Sequence, residues 1–125
     1  AMGTWDAGNF DNDTSADYLL DVTGGWLKEI REAVANPSSL EPDEYEGNMV
    51  PCAIEMLTLI ASQGWCGASL PDSGEARQWK ETFMEVWEDY IDELAPDSDY
   101  KKKRRDILNA TFDKLIQMCE KREAD

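Results

Sequence analysis

The stretch Asn48 to Ala68, NMVPCAIEMLTLIASQGWCGA, constrains the fold more than any other part of the chain. Met49, Val50, Ala53, Ile54, Met56, Leu57, Leu59, Ile60 and Ala61 place apolar side chains on nearly every face of a helix, the pattern of a helix buried at the centre of a domain. Its polar stripe, Asn48, Glu55, Thr58 and Ser62, is narrow and carries one carboxylate. The rest of the chain must therefore supply helices that cover this one. At 125 residues the chain is long enough to do so as one domain without disulfides or metal staples. The domain is expected to span residues 2–125, with Ala1 read as a tag remnant ahead of Met2.

The segments around that helix fall into a sequence of helix signals and breaks. Asp11, Asn12 and Asp13 compete to cap a first helix whose inward side is read as Ala16, Leu19, Leu20 and Tyr18, with Trp5 folding back onto the core and Phe10 acting as a hydrophobic staple. Thr23-Gly24-Gly25 is read as a break, after which Trp26 to Ala35 forms a second helix with Leu27, Ile30, Ala33 and Val34 inward. Asn36-Pro37 ends it, a loop follows, and Pro42 opens a short acidic helix through Glu46. The central helix is expected to restart at Asn48, which leaves Pro51 near its first turn. Glu75 to Leu94 is the clearest amphipathic segment, with Ala76, Trp79, Phe83, Val86, Trp87, Tyr90, Ile91 and Leu94 on one face. Ser98 to Arg122, capped by Asp97 or Ser98, buries Tyr100, Ile107, Leu108, Thr111, Phe112, Leu115, Ile116 and Cys119. The expected fold class is all-α, a single-domain bundle of about five helices.

Composition removes several chemistries. The chain has no His, which excludes Cys-His and Ser-His-Asp nucleophiles and the usual zinc sites. Cys52, Cys66 and Cys119 are odd in number and unrelated in spacing, so buried free thiols in a cytoplasmic protein are expected. No apolar run reaches the length of a membrane span. No cofactor motif is present.

The charge is large and uneven: residues 1–100 hold 22 acidic and 4 basic side chains, residues 101–125 hold 5 and 8, and the net charge is −15. Such a body repels nucleic acid and anionic membranes and attracts basic proteins from a distance. Glu81, Glu85, Glu88 and Asp92 stand in a row on the polar side of the amphipathic segment, with Asp89 and Glu93 beside them, and a second acidic run spans Glu41 to Glu46. The basic run Lys101 to Arg105 is short and lacks interleaved aromatics, which argues against nucleic-acid binding. If the last two helices are antiparallel, that run neutralises Asp89, Asp92 and Glu93 internally. The loop Gly64 to Pro71 contains Trp65, which suits a recognition loop or a lid, against a structural role in which Trp65 and Leu70 plug the bundle end.

The opening Gly3-Thr4-Trp5, Gly8, Phe10, Asp11-Asn12-Asp13 resembles the start of the bacterial family known as domain of unknown function 4259. The resemblance extends to the acidic segment Glu41 to Glu46 and to Ala53 and Glu55 of the central helix. It implies a single helical domain and a bacterial origin, and it carries no activity with it.

Two function classes can be stated on residues. The first is a protein-binding module that masks a basic partner, as immunity and antitoxin proteins do, using Glu81, Glu85, Glu88 and Asp92 for attraction and Trp65 as an anchor. The second is a magnesium-dependent helical hydrolase of the nucleotide pyrophosphatase type, in which Glu85, Glu88 and Asp89 share one helix face and hold the metal. Asp11, Asp13 and Asp17 also offer carboxylates to a hard cation, but without the Gly and bidentate Glu of a calcium loop they are read as capping groups.

Overall fold

The computed structural model describes residues 3–125, so the tag remnant at Ala1 and the start of the domain at Met2 lie outside the described residues. The described residues form a single all-α domain with four α-helices: α1 (Asp13–Val34), α2 (Tyr45–Ser62), α3 (Ser73–Tyr90) and α4 (Ser98–Ala124). Two short 3₁₀ turns, Pro37–Leu40 and Ile91–Leu94, complete it.

The helix count is four instead of five because Thr23-Gly24-Gly25 does not break the chain. α1 runs unbroken through it, with Leu19, Thr23, Leu27, Ile30 and Ala33 buried in one line. Two glycines cost a helix about 1 kcal/mol each, and burial of that line outweighs the loss. Thr23 is itself part of the reason: its hydroxyl donates to the Leu19 carbonyl at 2.7 Å and accepts from the Ser69 amide at 2.9 Å. A residue read as a breaker is thus a buried hook that ties the α2–α3 loop to α1. The same loop passes so close to α1 that a Cβ on Gly67, at φ +105, would lie 2.2 Å from the Ala16 carbonyl oxygen.

At the start of α1, Asn12 wins the contest for the cap and accepts from the Ser15 amide at 2.8 Å. Asp11 instead accepts from the Gly8 amide, and Asp13 from the Trp5 indole. Trp5 is therefore held in the opening loop, half exposed, and does not fold onto the core. Phe10 stacks on Trp65 at 3.9 Å between ring centroids and makes no staple. Tyr18 and Leu20, expected inward, are exposed.

Residues 41–44 form a turn, so the expected acidic helix is absent and α2 begins at Tyr45, upstream of Asn48. Asn48 does not cap it; its amide donates to the carbonyls of Pro42 and Glu44. Pro51 then falls inside the helix, where its ring is set against the carbonyl four residues back, that of Gly47. α2 is also less enclosed than its composition suggests. Val50, Ala53, Ile54 and Leu57 are fully inside, but Met56 and Leu59 are exposed, together with Cys52 and Glu55.

The core joins Leu27 and Ile30 of α1, Leu40, Val50, Ile54 and Leu57, then Trp79, Phe83 and Trp87 of α3 with Leu108, Phe112 and Leu115 of α4. Val86 packs on it half-buried, while Tyr90, Leu94, Tyr100 and Ile107 point outward, against expectation. All three cysteines are free, but only Cys119 is buried. Burial pushes its thiol up to about 11, with Glu123 adding to the effect. Among the described residues no helix is long and apolar enough to cross a membrane.

Candidate functional site: the acidic ridge of α3

α3 starts where two carboxylates meet it. Asp72 caps it by accepting from the Glu75 amide at 2.7 Å, and Glu123, from the far end of α4, accepts from the Ser73 amide at 3.0 Å. Hydrogen bonding from Ser73, through its side chain and its backbone amide, holds the Glu123 carboxyl below its ordinary range. From there Ala76, Trp79, Phe83 and Trp87 turn inward. Their spacing forces Glu81, Glu85, Glu88, Asp89 and Asp92 to the outside.

α4 returns antiparallel after the short connection at Ala95–Asp97, and ion pairs mark the seam. Arg77 meets Glu120, Lys80 meets Asp113 at 2.7 Å, Glu88 meets Arg105 at 2.8 Å and Asp92 meets Lys101 at 2.6 Å. The direction of charge inverts halfway, with α3 supplying cations near its start and anions near its end. Solvent screens such half-exposed pairs, so they favour one register of two long helices more than they stabilise the fold. Arg105 also lies 5.5 Å over the Trp87 ring, and its pairing with Glu88 raises the guanidinium further above its already high range. On the opposite edge Arg31 of α1 clamps Glu75 with two hydrogen bonds.

This seam divides the row expected from the sequence. Asp92 is taken by Lys101, as internal neutralisation predicts, but Arg105 takes Glu88, which that expectation did not include, and Asp89 and Glu93 are not reached. Among the described residues, Glu81, Glu85, Asp89 and Glu93 have no cation in salt-bridge range and all four are exposed. Glu81, Glu85 and Asp89 follow one another at four-residue intervals on α3, so like charges face each other at a cost of a few tenths of a kcal/mol per pair, and Glu93 stands just beyond them in the 3₁₀ turn. The uncompensated set keeps Glu81 and Glu85 of the expected row and replaces Glu88 and Asp92 by their neighbours Asp89 and Glu93.

Trp65 is not brought to this ridge. It is half-buried against Phe10, where the opening loop meets the α2–α3 connection. Glu85, Glu88 and Asp89 do lie on one side of α3, but Glu88 accepts from both Nε and Nη2 of Arg105. Among the described residues no three His, Cys, Asp or Glu side chains are disposed to hold a metal ion.

A second acidic feature escaped sequence reasoning. Glu29 and Glu32 of α1 and Glu46 of α2 line a groove of about 260 Å³ with the exposed Tyr45 at its side. The run Glu41 to Glu46 signalled half of it; the α1 half becomes visible only once the two helices pack.

Fold and surface together define a small, strongly acidic helical-bundle domain. The chain belongs to the family described as Domain of unknown function (DUF4259), which it matches over residues 3–120. No curated protein and no solved structure matches it.

Proposed function

We propose that this chain is a protein-binding module that captures and masks a basic partner in a bacterial cytoplasm, in the manner of an immunity or antitoxin protein. The observation that carries this reading is the line Glu81, Glu85, Asp89 and Glu93, left without cations although α4 brings five consecutive basic residues alongside. A helix that repels itself along one edge is relieved when an external cation surface docks there. The net charge of −15 steers such a partner from a distance and repels nucleic acid and anionic lipid. Trp65, half-buried and stacked on Phe10 away from the ridge, is the aromatic anchor of this reading. The Glu29, Glu32 and Glu46 groove gives a further seat for a lysine or arginine side chain.

The test uses two baits, the wild-type chain and the triple variant Glu81→Lys, Glu85→Lys, Asp89→Lys, on lysate of the source cells at low salt. The reading expects one basic protein retained by the wild type, released by high salt and missing from the variant. The same proteins on both baits, or no protein specific to the wild type, would overturn it.

A further inference from the structure

Of the exposed large apolar residues of α2 and α4, Tyr45 and Tyr100 line other grooves, which leaves Met56, Leu59 and Ile107. Met56, Leu59 and Ile107 are 44%, 59% and 55% exposed. Leu59 and Ile107 line the same groove of about 410 Å³ with Ala110, Thr111 and Thr58. A second groove of about 390 Å³ continues it past Leu59 toward Met118 and Lys121. Among the described residues nothing covers this face, whereas Val50, Ile54 and Leu57 of α2 and Leu108, Phe112 and Leu115 of α4 turn into the core.

Its charge is unlike that of the rest of the molecule. Lys103, Ile107, Ala110, Lys114, Gln117 and Lys121 recur along α4 at alternating four- and three-residue steps, the spacing of a helix–helix seam. Lys103, Lys114 and Lys121 have no carboxylate in salt-bridge range among the described residues, in a chain where acids outnumber bases by 27 to 12. Across the groove the α2 wall carries Glu55, which shares the groove lining with Lys114. An apolar centre with an acid on one wall and a base on the other is complementary to itself. A two-fold axis along the groove sets the α2 wall of one copy on the α4 wall of the other.

We propose that this face is the contact surface of a homodimer, in which α2 and α4 pack on the same helices of a second copy. Glu55 of each chain then stands opposite Lys114 of the partner subunit, and Leu59 and Ile107 close the centre. α2, of 18 residues and so about 27 Å long, and the matching stretch of α4 about 8–10 Å away offer roughly 500 Å² per copy. About 1,000 Å² in all is the lower end of specific interfaces, the size of weak or transient contacts. α3 packs on α4 from inside the bundle, and its ridge is not part of this face, so a dimer would present two ridges to a basic partner. The proposal does not depend on the masking function.

The test is sedimentation of the whole chain at about 150 mM salt over about 1–500 μM. The expected result is a mass rising with concentration from 14.1 kDa toward twice that value. Leu59→Glu, at an exposed position, should raise the dissociation constant about ten-fold or more with unchanged helicity. Glu55→Lys should weaken the dimer even though it lowers the net negative charge, Lys114→Glu should also weaken it, and the two together should restore it. A wild-type chain that stays at 14.1 kDa throughout, or a dimer indifferent to Leu59→Glu, or a charge-swapped double variant no tighter than either single one, would overturn the proposal.

Discussion

Replacing Gly24 and Gly25 with Ala tests whether α1 is one helix. Both lie in the middle of its 22 residues, and a Cβ at either position meets nothing within 4 Å. The substitution therefore adds no clash, and it removes backbone freedom from the unfolded chain. Each Gly costs a helix interior about 0.5–1 kcal/mol relative to Ala, so the double variant should gain about 1–2 kcal/mol. For a domain of this size that is an increase in melting temperature of roughly 3–10 °C. Gly47 supplies the contrast. A Cβ there would sit 2.2 Å from the carbonyl oxygen of Glu41 and 2.8 Å from that of Leu40, both backbone atoms that cannot swing aside. Overpacking costs about 1–3 kcal/mol, which exceeds the helix gain of about 1 kcal/mol, and Gly47→Ala should lose stability. Urea titration followed by far-UV circular dichroism reads all three variants. A Gly24→Ala, Gly25→Ala chain less stable than wild type would show that the chain bends at these residues and would refute the continuous helix.

Thr23→Val keeps the shape but strips the acceptor for the Ser69 amide and the donor to Leu19; it should cost about 1–3 kcal/mol and speed hydrogen exchange at Ser69. Cys119 has its thiol raised from 9.0 to about 11, so its contribution to stability is complete below about pH 9 and is lost as pH rises to about 11. Wild-type stability should fall more steeply through that window than that of Cys119→Ala, and equal slopes would contradict the burial argument. Cys52 and Cys66 should react with a thiol reagent in the folded state while Cys119 waits for unfolding. Because Arg105 holds Glu88, added Mg²⁺ or Mn²⁺ should leave the melting temperature unchanged, and a concentration-dependent rise would revive the hydrolase reading.

The inward face of α3 was legible because Ala76, Trp79, Phe83 and Trp87 repeat at helical spacing against a strongly polar background. α2 gave no such contrast. Apolar on almost every side, it has no period to say which side is out, and Met56 and Leu59 were placed inside for that reason. The break expected at Thr23 to Gly25 rested on local propensity, which the contact of Thr23 with a loop 46 residues later overrides. At the ridge, spacing located the acidic side of α3, but the choice between Glu88 and Asp89 as the uncompensated carboxylate depends on the register of α4. That register is set by pairs such as Lys80 with Asp113, far apart in sequence. Glu29, Glu32 and Glu46 were separate signals until α1 and α2 met.

The central claim is that the line Glu81, Glu85, Asp89 and Glu93 receives a basic partner. Its most direct test is the association rate of the protein captured by the wild-type bait, measured at about 50 and about 300 mM salt with wild type and with the Glu81→Lys, Glu85→Lys, Asp89→Lys variant. The account predicts a wild-type rate that falls about ten-fold or more with salt, and a variant slower at low salt with little salt dependence left. Equal rates and equal salt slopes for the two proteins would contradict it.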